Sequence, residues 1–215
     1  MLLHNFVVFE GIDGSGTTTQ LKEIEKLFEN RYGKEKKPLL ITCEPTTGEI
    51  GKLVRKGLSG EFSFTADTMA RLFAADRGEH LYGENGICDQ IARGKAVISD
   101  RYLFSSLAYQ GETGNQDLVR ILNRDFPLPE YLFFFDLDPE TAMNRIENRS
   151  AKPEIYEKYE IQKKVRRRYL DIMSEYEKET SEMNIIRIDA EKPVTEITEK
   201  IWTIIQNLPK IKGDE

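Results

Sequence analysis

The stretch FVVFEGIDGSGTTTQ, residues 6–20, decides the fold class of this chain. Its first four residues, Phe6 to Phe9, are apolar and predict a short buried β-strand. Glycine adopts positive φ and brings the backbone close to an anion, so the glycines after the strand are expected to bend the chain. These glycines are Gly11, Gly14 and Gly16. A strand, a glycine-rich turn and a helix in this order are typical of a phosphate-binding loop.

The spacing from Gly11 to Thr18 fits G-x-x-x-x-G-K-[ST] at every position but one, because Thr17 stands where the pattern has lysine. Backbone N–H groups and the helix dipole are expected to hold a nucleotide's phosphates. The residues predicted to bind them are Gly11, Ile12, Asp13, Gly14, Ser15, Gly16, Thr17, Thr18 and Thr19. The lost charge-assisted hydrogen bond is worth roughly 1.5–3 kcal/mol. Both an active phosphoryl-transfer enzyme and a nucleotide binder with impaired catalysis therefore stay open.

Length and composition favour one soluble domain, residues 1–215, with 39% hydrophobic and 32% charged residues. The net charge of -6 argues against general binding of nucleic acids or membranes. Cys43 and Cys88 are too few for a disulfide framework, and two histidines disfavour a His/Cys zinc site. Neither a signal peptide nor a bilayer-spanning run is recognisable, so we expect a cytoplasmic protein.

Four further apolar runs predict strands that alternate with helical patterns. They are Leu39–Thr42, Ala96–Ser99, Tyr131–Asp136 and Asn184–Asp189. Gly33 is expected to end the first helix, and another helix is predicted near Gly51–Leu58. Thr65 is expected to cap one long helix that continues to Ile91. This alternation predicts an α/β fold with a mainly parallel five-stranded sheet and helices on both faces. Together with the phosphate-binding loop, it predicts a P-loop NTPase fold.

Functional residues of such a sheet gather at the carboxyl ends of its strands. Asp100 lies at the end of the third predicted strand, where its carboxylate can reach a Mg²⁺ held by Thr18. Thr18 and Asp100 are therefore the predicted metal ligands, and a helix N-cap is the alternative role for Asp100. Arg101 follows directly, and its planar guanidinium suits a phosphate.

Phe73 and Arg77 are four residues apart and share one face of a predicted helix. Phe73 can stack on a base while Arg77 bonds the base edge. Taken alone, the spacing favours a core position for Phe73 and a surface ion pair for Arg77.

Basic residues are dense between positions 145 and 168, and most of them are expected on a solvated helix. The bend at 150–153 separates two helices and predicts a helical lid over the nucleotide, residues 149–157. Arg149 and Lys152 would bring charge to the transferring phosphoryl group and compensate for Thr17.

Four segments, in this order and spacing, resemble the thymidylate kinase family: FEGIDGSGTTTQ, TCEPTTGEIGKLVR, RLFAADR and SDRYLFSSLAYQG. The C-terminal IIRIDAEKPV fits the family's last strand and loop, so the resemblance covers nearly the whole chain. The resemblance implies ATP-dependent conversion of dTMP to dTDP with Mg²⁺, on a P-loop kinase fold and usually as a homodimer.

The resemblance also implies roles for individual residues. Phe73 would stack on thymine, Arg77 would bond its edge, and Ser106 would contact the base. Tyr109 would crowd the 2′ position of the sugar, and Asp13 would lie near the 3′-hydroxyl and the acceptor phosphate. Arg101 would hold phosphate and Asp100 would order Mg²⁺. Glu10 and Gln110 would support this pocket, and Glu44 is a further predicted substrate-binding residue. Asp13, Asp100, Arg101, Arg149 and Lys152 are thus the predicted catalytic residues.

Three departures from the family pattern bear on rate. Thr17 replaces the lysine, Cys43 stands where an arginine is usual, and the lid lacks a common Asp-Arg pair. Two alternatives accordingly remain: a kinase for another deoxynucleotide or deoxynucleoside, and a catalytically impaired nucleotide sensor.

Overall fold

A computed structural model describes residues 1–33, 38–148, 156, 158–180 and 182–210. Its centre is a five-stranded sheet in the order β2-β3-β1-β4-β5, in which every neighbouring pair is parallel. The strands are β1 (Leu2–Gly11), β2 (Leu39–Cys43), β3 (Ala96–Asp100), β4 (Leu128–Asp136) and β5 (Asn184–Asp189).

The strand register brings the functional ends of the strands together. Phe9 of β1 lies opposite Asp100 of β3, and Asp100 lies opposite Cys43 of β2. The central strands are nearly continuous apolar runs because helices cover both of their faces. The residues that follow these strands therefore meet at one edge of the sheet.

The helices form two groups around the sheet. They are α1 (Thr17–Tyr32), α2 (Glu49–Leu58), α3 (Ala66–Tyr82), α4 (Ile87–Ala92), α5 (Leu103–Ser105), α6 (Gly111–Thr113), α7 (Gln116–Asn123), α8 (Pro139–Glu147), α9 (Tyr159–Glu179) and α10 (Val194–Ile205), with a π-helical segment at Ser106–Gln110. Right-handed crossovers place α1 on one face and the helices between β2 and β5 on the other. The last helix, α10, returns to pack against α1. None of the described helices combines the length and apolarity that a membrane span needs.

The predicted α/β class and all five strands are confirmed, although β1 and β4 begin earlier than expected. Gly33 does follow α1, and the Thr65 hydroxyl accepts from the Thr68 N–H at 3.2 Å as an N-cap.

The single long helix from Thr65 to Ile91 is wrong, because α3 ends at Tyr82 and α4 begins at Ile87. The chain turns between them through Gly83 and Gly86. A Cβ on Gly83 would lie 2.5 Å from the Glu79 carbonyl oxygen, so this turn needs residues without a side chain. The predicted lid, apart from Tyr156, lies outside the described residues.

Candidate functional site

The phosphate loop connects β1 to α1 and is shaped by its glycines. Gly14 has φ 83° and Gly16 has φ 96°, as expected. A Cβ on Gly14 would also lie 2.7 Å from the Ala142 carbonyl oxygen. The expectation of a positive φ at Gly11 is wrong, because this residue ends β1 in extended conformation. Glycine is required there for space, since a Cβ would lie 2.8 Å from the Phe135 carbonyl oxygen.

A cleft of about 380 Å³ opens beside the loop and brings most predicted residues together. The predicted residues that line it are Ile12, Asp13, Gly14, Gly16, Thr17, Thr18, Thr19, Glu44, Phe73, Asp100, Arg101, Tyr109 and Gln110. Five others do not line it: Glu10, Gly11, Ser15, Arg77 and Ser106. Arg149 and Lys152 lie outside the described residues.

Thr18 and Asp100 place a hydroxyl and a carboxylate side by side in the cleft. The Thr18 hydroxyl donates to Asp100 Oδ2 at 3.0 Å, while Asp100 Oδ1 is buried without a hydrogen-bond partner in the described chain. An unpartnered carboxylate oxygen beside a hydroxyl fits Mg²⁺, which takes few protein ligands and keeps several waters. The alternative role of Asp100 as a helix cap is not found, because Tyr102 precedes the first residue of α5.

Asp13 lies at the centre of a hydrogen-bonded network that crosses the cleft wall. Arg101 Nη2 donates to Asp13 Oδ1 at 2.6 Å, and the Tyr109 hydroxyl donates to Oδ2 at 3.1 Å. Gln162 Nε2 donates to the same Oδ2 at 2.6 Å, and Gln162 Oε1 accepts from the Asp13 N–H at 3.1 Å. Burial and the Asp13 charge raise the pKa of Tyr109 far above its usual value, so its hydroxyl keeps its proton.

A second network lies behind the cleft, around the fully buried Arg77. Its Nη2 donates to Glu44 Oε2 at 2.7 Å and to the Ser106 hydroxyl at 3.2 Å, and its Nη1 donates to Asn123. Arg77 Nε is buried without a partner in the described chain. Glu44 and Phe73 form the side of the cleft in front of this network. A contact of Arg77 with a base edge stays a prediction.

The sequence alone did not predict Arg55 or Gln162 as residues of this site. Arg55 of α2 lines the cleft and donates to the Pro45 carbonyl, with Nη2 3.8 Å from Cys43 Sγ. No described carboxylate forms an ion pair with Arg55, so its charge is free to meet an anion. An exposed arginine on a helix carries no sequence signal for this role.

The sequence does contain a signal for Gln162, a polar residue within an apolar helical stripe. It is 0% exposed and occupies a core position of α9, in step with Val165, Tyr169 and Ile172. A polar residue in a buried helical stripe needs partners, and here they are Asp13 and the Tyr156 carbonyl, which accepts from Nε2 at 2.9 Å.

A second cavity, of about 390 Å³, also borders the phosphate loop. It shares Gly14, Gly16 and Thr19 with the cleft, and it includes the cationic side chains of Arg145 and Lys192. Arg145 Nη1 donates to the Gly14 carbonyl at 3.4 Å, which places a positive charge against the loop. The loop therefore lies between two cavities.

Comparisons with known proteins agree with this arrangement. The sequence model described as Thymidylate kinase matches residues 9–201. A putative thymidylate kinase of Treponema pallidum is 42% identical over 211 residues, which cover 98% of this chain and 99% of that protein. A probable thymidylate kinase of Methanocaldococcus jannaschii is 36% identical, with 97% and 100% covered. One of Thermococcus kodakarensis is 38% identical, with 94% and 98% covered. The chain belongs to the thymidylate kinase family.

Proposed function

We propose that this protein transfers the γ-phosphoryl group of ATP to dTMP, giving dTDP and ADP. One observation carries the proposal: the phosphate loop, the Thr18–Asp100 pair and Arg101 open into one cleft that also contains Phe73. Such a cleft can hold a donor phosphate chain and a nucleotide acceptor side by side. The relatives named above are thymidylate kinases, which agrees with this assignment.

The donor nucleotide is held mainly by backbone groups. N–H groups of the loop and the first turn of α1 point toward the phosphates, and the helix dipole favours their charge. The purine occupies the second cavity, beside Arg145 and Lys192. Thr17 adds no charge, so this arrangement depends on the loop conformation more than on any side chain.

Mg²⁺ would be held by the Thr18 hydroxyl and Asp100, whose free Oδ1 suits a hard cation. When bound, the ion neutralises charge on the phosphates of ATP. No described group of three or more His, Cys, Asp or Glu side chains offers a further cation site. This pair of residues is therefore our proposed magnesium site.

The acceptor base lies against Phe73 and is read by Gln110. Gln110 Oε1 is buried without a partner in the described chain, so it can accept a hydrogen bond from thymine N3–H. Cytosine has a lone pair at N3, which would face the lone pairs of this oxygen instead of donating to it. Tyr109 packs beside the sugar and disfavours a 2′-hydroxyl. Glu44, Arg77 and Ser106 support the base side of the cleft from behind.

Catalysis depends on positioning and charge. The acceptor oxygen of dTMP is already anionic, so the reaction needs no strong general base. Arg101 and Arg55 hold the acceptor phosphate in line with the γ-phosphoryl group, and Asp13 orients Arg101 and the sugar. Arg149 and Lys152 supply further charge from a lid, residues 149–157, within a single domain spanning residues 1–215.

We also propose a cytoplasmic homodimer. Tyr82 of α3 and Ile121 of α7 are large apolar side chains, 58% and 56% exposed, on helices that pack together. Pairing of two copies through α3 and α7 would bury them. Cys43 and Cys88 are free thiols, as in a reducing compartment. Sedimentation analysis should give twice the 24.8 kDa chain mass, and Tyr82→Glu should shift it to the monomer.

A coupled assay of ADP release with Mg²⁺ and ATP tests the activity. We expect turnover with dTMP and much slower turnover with dCMP, AMP and thymidine. Faster turnover with any of these three acceptors would contradict the choice of substrate. Binding of dTMP and ATP by calorimetry without ADP release would contradict the enzymatic assignment.

A further inference from the structure

Glu10 is a buried carboxylate that the proposed reaction does not use. It is 0% exposed and is the residue before Gly11 in β1. Four donors meet it: the N–H groups of Tyr102 and Ser105 reach Oε1 at 2.8 and 3.1 Å, and the hydroxyls of Ser105 and Tyr169 reach Oε2 at 2.6 and 2.8 Å. A buried charge is costly unless it is fully hydrogen-bonded. A buried carboxylate that is held by four donors therefore indicates a specific role for Glu10.

The backbone that Glu10 binds forms the turn of Arg101. Arg101 has φ 72°, a left-handed conformation that is unfavourable for a residue with a side chain. Three contacts hold the turn: the Arg101 N–H donates to the Phe9 carbonyl at 2.9 Å, the Ser99 hydroxyl donates to the Arg101 carbonyl at 2.8 Å, and Glu10 binds the next N–H, that of Tyr102. Glu10 thus fixes the exit of the chain from this turn.

Ser105 links the carboxylate to the guanidinium. Its hydroxyl gives its one proton to Glu10, and its oxygen accepts from Arg101 Nη1 at 3.2 Å. A neutral amide at position 10 would present N–H donors to this hydroxyl and turn its proton away. The Ser105 oxygen would then no longer face Arg101 with its lone pairs. Above pH 7, where Glu10 is ionised, its charge therefore orients Arg101 through both the backbone and Ser105.

We propose that Glu10 is a positioning residue that, together with Ser105, directs the Arg101 guanidinium toward the acceptor phosphate. This inference rests on the proposed function, in which Arg101 holds the phosphate of dTMP. Glu10 itself has no contact with the cleft. Its effect is accordingly confined to steps that need Arg101.

The test compares Glu10→Gln with the wild-type protein in the coupled assay at pH 8, where Glu10 of the wild type is ionised. We expect kcat/KM for dTMP to fall about 10- to 100-fold, since misplacement of a positioning group has effects of this size. Affinity for a non-hydrolysable ATP analogue without dTMP should change less than about threefold, because backbone groups hold it. In Arg101→Lys, adding Glu10→Gln should cause little further loss, since the two act as one unit.

Glu130→Gln is the matched control. Glu130 is 3% exposed, accepts from the Asn5 N–H at 2.8 Å and pairs with Lys210, near the opposite end of the sheet. The Glu130→Gln substitution should lower stability without changing kcat/KM for dTMP. Ser105→Ala is the second variant if Glu10→Gln does not fold, and it should lower the same parameter about 3- to 10-fold.

The outcomes separate this inference from the proposed function. If wild type is active and Arg101→Lys is impaired, but Glu10→Gln and Ser105→Ala both keep wild-type kcat/KM for dTMP, the positioning role is overturned. Additive losses in the double variant would overturn it as well. Absence of dTMP turnover in the wild-type protein would instead reject the proposed function.

Discussion

The phosphate loop and the acceptor wall, defined as Asp13 with Arg101, Tyr109 and Gln162, are built in different ways. The loop is a contiguous stretch whose shape comes from glycine backbone conformations. The wall joins Asp13 to side chains that lie 88, 96 and 149 positions away in the chain. We infer that side-chain changes in the loop are tolerated when the backbone is kept, whereas the wall depends on each of its side chains.

The largest expected effect comes from Arg101→Ala in the acceptor wall. Removing the guanidinium leaves Asp13 without its ion-pair partner and removes the cation that we propose holds the acceptor phosphate. We expect kcat/KM for dTMP to fall about 10³-fold, as for other cations that stabilise phosphoryl transfer. Steady-state kinetics with varied dTMP measures the loss.

Arg120→Ala is the control for this change. Arg120 also pairs with a carboxylate, Glu175, but outside the cleft. It should retain wild-type kinetics. A loss below about tenfold in Arg101→Ala would remove the distinction between wall and loop.

Stability should depend on pH through Glu10, beneath the wall. Burial raises the pKa of Glu10 from 4.5 to about 7, so between these values the folded protein holds a proton that the unfolded chain has released. The free energy of unfolding from this group therefore falls as pH rises through this window, by up to about 3 kcal/mol. Urea unfolding at pH 5 and pH 8 should show Glu10→Gln becoming more stable relative to wild type at the higher pH. If the difference in stability between Glu10→Gln and wild type is the same at both pH values, Glu10 does not titrate in this range.

Gly14→Ala tests the loop through its backbone. The added Cβ would meet the Ala142 carbonyl at 2.7 Å, at a residue with φ 83°. We expect affinity for an ATP analogue to fall roughly 100-fold, because the loop amides can no longer converge on the phosphates. Calorimetry measures the affinity.

Gly94→Ala separates the effect of a steric clash from the effect of backbone strain at a positive φ. Gly94 also has φ 83°, but a Cβ there would meet nothing within 4 Å. It should lower stability by about 1 kcal/mol and leave nucleotide affinity unchanged. Equal affinity losses in the two variants would indicate a global effect of backbone strain.

The smallest effect is expected from Thr17→Ala. The Thr17 side chain carries no charge, so its removal should weaken binding of an ATP analogue less than about threefold. Calorimetry under the same conditions provides the value. A loss above about tenfold would show that this side chain contributes to phosphate binding directly.

The sheet and the phosphate loop were predictable because their signals are local. Apolar runs place the strands, and the glycine pattern places the loop. Local signals also explain the two wrong predictions, the positive φ at Gly11 and the single long helix from Thr65 to Ile91. Gly11 shares its residue type with Gly14 but needs space at the Phe135 carbonyl, and the apolar spacing through Ile91 conceals the turn at Gly83.

The cleft could be predicted only in part. Asp100 and Arg101 follow a strand, so the topology brings them to the loop. Arg55 approaches Cys43 from α2, and Gln162 reaches Asp13 from α9, through contacts that no local pattern encodes. Arg77 shares a helix face with Phe73, yet its partners Glu44 and Ser106 come from other elements.

The central claim is that this cleft phosphorylates dTMP without a lysine in its phosphate loop. The most direct measurement is ADP release by wild type and Thr17→Lys at saturating ATP, Mg²⁺ and dTMP. We predict a wild-type kcat on the order of 1 s⁻¹ or higher, and a change of less than about tenfold on restoring the lysine. A wild-type protein without turnover, made active by Thr17→Lys, would contradict the claim.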